Sequence, residues 1–328
     1  MLFLVGSLLI LLVLYICAFK YYFGSTTWCK STANLNGKTV LITGGNAGLG
    51  KATAIDLARR GAKVVIASRN EARSNETVKE IRELTGNKQI RQKQLDLMDL
   101  ENVQKFAEEF IKEENRLDIL VNNSGIGDWA NKELGMKTKQ NYDLIFGVNY
   151  LGHFLLTYRL LDLLKKSTHA RIVNVSSLRH SWRTRPFNFE KTPDKDGRLY
   201  PDLSGYSGSK LANVMHAMSL SKHLQGTNVI ANAVHPGFAY TDIVESPLKR
   251  ITPRCFHFLT DLFFKYCILD ATAGAQTLIF AAVDESVRDV SGQYFGHCKL
   301  ERTRRIASLD EEECQLLWDY SMKMCNLS

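Results

Sequence analysis

Residues 38–60 constrain the fold of this chain more than any other stretch. Lys38-Thr39-Val40-Leu41-Ile42-Thr43 is a short β-branched run of the kind that forms a buried parallel strand. Gly44-Gly45-Asn46-Ala47-Gly48-Leu49-Gly50 follows directly, and residues 51–60 read as a helix. Strand, glycine-rich loop and helix in this order form a dinucleotide-binding turn. The glycines let backbone amides approach a pyrophosphate, and the helix N-terminus favours its negative charge. This stretch therefore nominates Gly44, Asn46, Gly48, Leu49 and Gly50 as cofactor-binding residues.

The alternation continues. Strands are predicted near 62–68, 92–97, 116–122, 171–175, 229–234 and 291–295. Helices are predicted over 71–84, 99–115, 141–166, 206–224, 270–282 and 309–324. Strands that alternate with helices imply an α/β fold with a doubly wound, mainly parallel, seven-stranded sheet. In that architecture an acidic residue at the end of the second strand accepts the ribose 2′-hydroxyl of NAD. Ser68 and Arg69 stand there instead. A guanidinium pairs with a 2′-phosphate, so NADP(H) is the expected cofactor. Asp96 and Leu97 close the third strand and are expected at the adenine. Asn123, Ser124 and Gly125 follow the fourth strand as a tight turn at the ligand-binding edge of the sheet.

Residues 1–19 contain no charged side chain and are rich in leucine, isoleucine and valine. Nineteen helical residues span ~28 Å, enough to cross a bilayer core. Tyr15, Tyr21, Tyr22 and Trp28 gather toward the end of the run, where amphipathic aromatics sit at a membrane interface. A cleaved secretory signal would want a basic start and a small-residue cleavage site; Cys17-Ala18-Phe19 is a poor one. The segment reads as an uncleaved anchor over 1–23, with a linker over 24–34 and one domain over 35–328. Lys20, Lys30 and Lys38 follow the segment, so the positive-inside tendency puts the body in the cytosol. The seven cysteines have no metal-ligand spacing and read as reduced thiols. The net charge of +8 is spread along the chain, without the basic, aromatic-interleaved stripe of a nucleic-acid binder. Residues 238–269 hold Phe256, Phe258, Leu259, Leu262, Phe263 and Phe264, and suit an apolar substrate flap or a buried helix pair.

Tyr206-Ser207-Gly208-Ser209-Lys210 carries the chemistry. A tyrosine and a lysine four apart lie one turn above each other on a helix face. An ammonium held there stabilises the phenolate and pulls the phenol down from about 10 toward working pH. A tyrosine so placed can act as a general acid or base. An exposed, unreactive pair would show the same spacing, so the surrounding motifs decide.

Those motifs, in order, are Thr43-Gly44-x-x-x-Gly48-x-Gly50, Asn122-Asn123-Ser124-Gly125, Asn149, Ser177, Tyr206-x-x-x-Lys210 and Pro236-Gly237. Over roughly residues 35–296 the chain resembles the short-chain dehydrogenase/reductase family. More closely it is similar to the microsomal retinol dehydrogenase branch. Residues 1–19, Trp28-Cys29-Lys30-Ser31, Val148 to Phe154, Val173 to Leu178 and Ser209 to Asn213 carry that similarity. Ser124 stands where family members commonly have alanine. The stretch between Ser177 and Tyr206, with Arg179, Trp182, Arg183 and Arg185, is longer than in most of the family.

The resemblance implies a Rossmann fold and a site of Tyr206, Lys210, Ser177 and Asn149. Tyr206 would exchange a proton with the substrate oxygen, Lys210 would lower its pKa and bind the nicotinamide ribose, and Ser177 would hold the developing alkoxide. Ser177 rather than Ser176 takes that role because the family places it second in the pair. Asn149 would hold a water linking Lys210 to solvent. Pro236, Gly237 and Thr241 would complete the NADP(H) site, and hydride transfer needs no metal. His153 and His235 are expected to be structural. The implied substrate is a hydrophobic alcohol or carbonyl, retinoid-like, with lipid aldehydes and steroid carbonyls as alternatives. The implied location is the endoplasmic reticulum membrane. A non-catalytic NADP-binding scaffold is the alternative from another class, although such proteins usually lose the tyrosine, lysine or serine. No oligomeric state is implied.

Overall fold

The computed structural model describes residues 26–127, 136–182, 205–239, 257 and 268–327. The chain alternates strand and helix as far as its sixth strand. β1 (Thr39–Thr43), α1 (Gly48–Arg59), β2 (Lys63–Ser68), α2 (Glu71–Thr85) and β3 (Ile90–Gln94) form the first half. The second half begins with α3 (Leu100–Glu113), β4 (Ile119–Asn122), α4 (Leu144–Lys165), β5 (Ala170–Val175), α5 (Gly205–His223) and β6 (Val229–His235). It ends with α6 (Ala271–Gly274), α7 (Gln276–Val283), β7 (Tyr294–Gly296), β8 (Lys299–Leu300), α8 (Arg304–Ala307) and α9 (Glu311–Met324).

The sheet order is β3-β2-β1-β4-β5-β6-β7-β8. β1 to β7 are parallel, and β8 is antiparallel to β7. The order reverses between β1 and β4, the place where doubly wound sheets open a crevice at the strand C-termini. The sheet has eight strands where seven were expected. The eighth, Lys299–Leu300, is two exposed residues long and too short for any periodicity to betray it.

Helices cover both faces. Leu41, Leu120 and Ile172 point to one side, with Phe106, Phe110, Phe154, Leu160 and Trp318. Val40, Ile42, Ile66 and Val121 point to the other, with Leu57, Leu278 and Ile279. This two-sided burial explains the near-continuous apolar β1 and β2, since each fully buried aliphatic side chain contributes about 1.5–3 kcal/mol.

Several boundaries differ from expectation. The third strand runs from Ile90 to Gln94 rather than over 92–97, because Leu95 and Leu97 are buried after the ladder has ended. It is an edge strand with a polar, half-exposed sequence. α4 starts at Leu144, not near 141, because Asn141 is left-handed (φ 67) and Asp143 caps the helix by accepting from the Phe146 amide. The expected helix over 270–282 is two pieces that meet at Ala275. α4 is the one described helix long and apolar enough to cross a membrane, yet 83% of that stretch is buried inside the fold. It is the central core helix. The expected anchor over 1–23 lies outside the described residues, as does nearly all of the expected flap.

Candidate active site

The glycine turn is shaped by contacts that a side chain would destroy. Gly44 is left-handed (φ +66), and a Cβ there would stand 2.8 Å from Ser124 Oγ. A Cβ on Gly50 would meet the Gly44 carbonyl oxygen at 2.4 Å and Asn123 Nδ2 at 2.5 Å. The helix start, the loop and the turn after β4 are thus pressed together with no room for a methyl group. No side chain caps α1, and its first turn holds no acidic residue. Its leading amides and positive dipole end are therefore free of a protein anion and suited to a phosphate.

The hydroxyl of Thr43, the first residue of the glycine motif, organises the loop. Thr43 Oγ1 accepts from the amides of Asn123 (2.9 Å) and Ser124 (3.0 Å) and donates to His153 Nε2 (2.8 Å). His153 Nδ1 in turn donates to the Asn149 carbonyl at 3.0 Å. Both ring nitrogens are used by a neutral tautomer. Burial and the nearby Lys210 ammonium hold His153 down to about 4, so it stays neutral at working pH. His153 is structural as expected, and it connects the cofactor turn to Asn149. His235 is also buried.

Asn149 sits in a π-helical turn, Gly147–Leu151, near the start of α4. Its side chain accepts from the Ile126 amide (2.8 Å) and donates to the Ile126 carbonyl (3.0 Å) and Ser209 Oγ (3.0 Å). It therefore staples the strand exit after β4 to α5. Gly125 faces the same spot, where a Cβ would lie 3.4 Å from Asn149 Oδ1 and 3.5 Å from Lys210 Nζ.

Lys210 is buried and donates to the Val175 carbonyl at 3.0 Å. Desolvation lowers it from 10.5 to about 8. Its Nζ stands 5.3 Å from the centre of the Tyr206 ring. The helical spacing thus brings the two together as the sequence suggested, with Tyr206 half-buried above the lysine. At the end of β5 the two serines part. Ser176 is buried and donates to the Lys210 carbonyl at 2.6 Å, locking strand to helix. Ser177 is partly exposed. His180 N and Nδ1 both donate to the Ser177 carbonyl, at 3.0 and 2.6 Å, and fix its backbone.

At the far end of the crevice, Arg69 is exposed at the end of β2, with Nη1 2.9 Å from Met98 Sδ. Asp96 Oδ1 accepts from the Met98 amide at 3.0 Å. Arg69, Asp96 and Leu97 therefore share one corner. Ser68 is turned inward onto Ser74 (Oγ to Oγ 2.5 Å) and is buried. Gly237 is left-handed (φ +76) beside Leu269. Thr241, Arg183 and Arg185 lie outside the described residues. Asn122 and Asn174, which each begin an Asn-x-Ser sequence, are both buried, and Asn122 Nδ2 donates to Asn174 Oδ1 at 2.9 Å. Among the described residues no cluster could hold a metal ion.

The crevice combines an anion-binding helix start, a guanidinium corner and a phenol beside a buried ammonium. That set is compatible with a nicotinamide dinucleotide. Residues 38–183 match the short chain dehydrogenase family. The chain is 39% identical over 309 residues to human (Homo sapiens) retinol dehydrogenase 14, covering 89% of this chain and 88% of that protein. It is also 39% identical to mouse (Mus musculus) retinol dehydrogenase 12, covering 94% of this chain and 92% of that one. An uncharacterised protein of solved structure from Mycobacterium paratuberculosis superposes with a TM-score of 0.69 at 29% identity, covering 93% of this chain and 99% of that one. The chain belongs to the short-chain dehydrogenase family of oxidoreductases, in its retinol dehydrogenase branch.

Proposed function

We propose that the protein is a membrane-anchored NADP(H)-dependent oxidoreductase that interconverts a hydrophobic, retinoid-like alcohol and its aldehyde or ketone. The observation that carries this reading is the Tyr206 ring 5.3 Å from the buried Lys210 ammonium, at the same sheet edge as the glycine turn.

When bound, NADPH would supply the hydride that the carbonyl carbon accepts. Tyr206 gives its hydroxyl proton to the carbonyl oxygen as negative charge develops there. Ser177 Oγ donates a hydrogen bond to the same oxygen and stabilises the alkoxide. Lys210 favours the phenolate that Tyr206 becomes and would hold the nicotinamide ribose. Asn149 keeps Ile126 and Ser209 in register beside it. In the oxidative direction Tyr206 takes the alcohol proton. The first-turn amides of α1 would hold the pyrophosphate, Asp96 and Leu97 the adenine, and Pro236, Gly237 and Thr241 the nicotinamide side.

NADP(H) preference rests on Arg69 and the absence of a carboxylate at the end of β2. A charge-assisted contact to the 2′-phosphate contributes about 1.5–3 kcal/mol, or roughly 10–150-fold in affinity. Arg69→Ala is expected to raise KM for NADPH by that factor and leave KM for NADH within about twofold. Steady-state kinetics with both cofactors and all-trans-retinal check this. A wild-type preference for NADH would remove Arg69 from the site. Membrane anchoring rests on the uncharged residues 1–19, and a cytosolic body on the lysines that follow them. Residues 238–269 would form the apolar flap over the substrate.

A further inference from the structure

Lys210 is not the only cation on the Tyr206 ring. After β5, residues Leu178–Trp182 form a 3-10 turn that points back at α5. The Arg179 guanidinium carbon lies 5.2 Å from the centre of the Tyr206 ring and 4.9 Å from that of Trp182. The guanidinium thus bridges an indole and the phenol. Its backbone has little freedom. The Arg179 amide donates to Ser177 Oγ at 3.3 Å. The next residue, His180, is completely buried and bonded to the Ser177 carbonyl and, through Nε2, to Thr303 Oγ1 at 2.8 Å.

We propose that Arg179 is a positioning residue for the reaction, a second and permanent cation that acts through Tyr206 by stabilising its phenolate beside Lys210. This deepens the reading in which Tyr206 is the proton donor and rests on it. A cation over an aromatic face is attracted by the ring, and the attraction grows once the ring carries negative charge. Lys210 is desolvated to about 8, so its field weakens as pH rises above that value. A guanidinium does not lose its proton in that range. Arg179 would therefore sustain the stabilisation at pH values where Lys210 titrates. Tyr294 on β7 also lies near Tyr206; burial raises its phenol, so it stays neutral and adds no charge. Glu301 faces Tyr294, and burial raises its carboxyl from the usual value.

The test is an optical titration of the phenolate in the full chain. Tyrosinate absorbance of each protein minus that of the same protein carrying Tyr206→Phe isolates residue 206 and needs no substrate. Arg179→Gln is expected to raise the midpoint by about one pH unit, and Arg179→Lys to restore most of the shift. Trp182→Ala, at an exposed position, releases the guanidinium and is expected to shift the midpoint the same way by less. The acidic limb of kcat/KM for alcohol oxidation, where Tyr206 must be deprotonated to act as the base, should move in parallel, which a purely structural role would not produce. Midpoints within about 0.2 unit of wild type in both Arg179→Gln and Trp182→Ala overturn the proposal. Should Arg179→Gln not fold, an unmoved midpoint in Trp182→Ala does so alone. A dead Tyr206→Phe with unmoved midpoints refutes only this proposal, whereas a fully active Tyr206→Phe refutes the underlying reading.

Discussion

Tyr206→Phe is expected to lower kcat by about a thousandfold with KM changed less than about threefold, because positioned acid–base groups contribute about 10²–10⁴. The substitution removes one oxygen and keeps the ring that packs against Lys210 and Arg179. Folding should therefore be intact, and circular dichroism with a thermal melt verifies it. The loss should fall on kcat, since the hydroxyl acts when charge develops on the substrate oxygen and not before. Steady-state reduction of all-trans-retinal provides the measurement. A decrease smaller than about tenfold would mean that the proton comes from elsewhere.

Lys210→Met should abolish activity and stabilise the protein. Burial lowers the ammonium from 10.5 to about 8, and among the described residues no carboxylate supports it. At neutral pH the folded chain thus holds a desolvated cation at a cost of up to about 3 kcal/mol. The unfolded chain binds more protons between pH 8 and 10.5. Stability should therefore rise with pH across that window in the wild type and lose that slope in the variant. Methionine matches the aliphatic stem. The Val175 carbonyl keeps a partner in Asn213 Nδ2 at 3.0 Å, so no acceptor is orphaned. The expected gain is about 1–3 kcal/mol, or a few degrees in Tm, read by thermal unfolding at neutral pH. A lower Tm would mean that Lys210 is structural. A protein that keeps a buried, nearly unpartnered ammonium is holding a strained group for its chemistry.

The parts of this site legible from sequence are those that local geometry dictates. Gly44 and Gly50 are glycine because neighbouring atoms stand where a Cβ would be. Tyr206 and Lys210 meet because four residues make one helical turn. What stayed hidden depends on distant packing. Thr43 meets His153 only because the fold brings the end of β1 against α4, across 110 residues of chain. Arg179 was visible as part of an unplaced basic stretch, and its approach to Tyr206 follows from the 3-10 turn that His180 anchors to Thr303. The third strand was misplaced because an edge strand of polar residues, Ile90–Gln94, is followed by buried Leu95 and Leu97. The eighth strand offered two residues and no pattern. Helix α4 is apolar enough to imitate a membrane span, and only its burial shows it to be core.

The central claim is hydride transfer to a carbonyl held by Tyr206 and Ser177, and isotope transfer tests it most directly. Wild-type protein is incubated with all-trans-retinal and NADPH deuterated at nicotinamide C4, on either face in separate reactions. The account predicts that, for one face, the alcohol carries one deuterium on its carbinol carbon, in equal amount to the cofactor consumed, and that Tyr206→Phe forms almost none. Unlabelled alcohol from both reactions, or no cofactor consumption above the protein-free control, would contradict it.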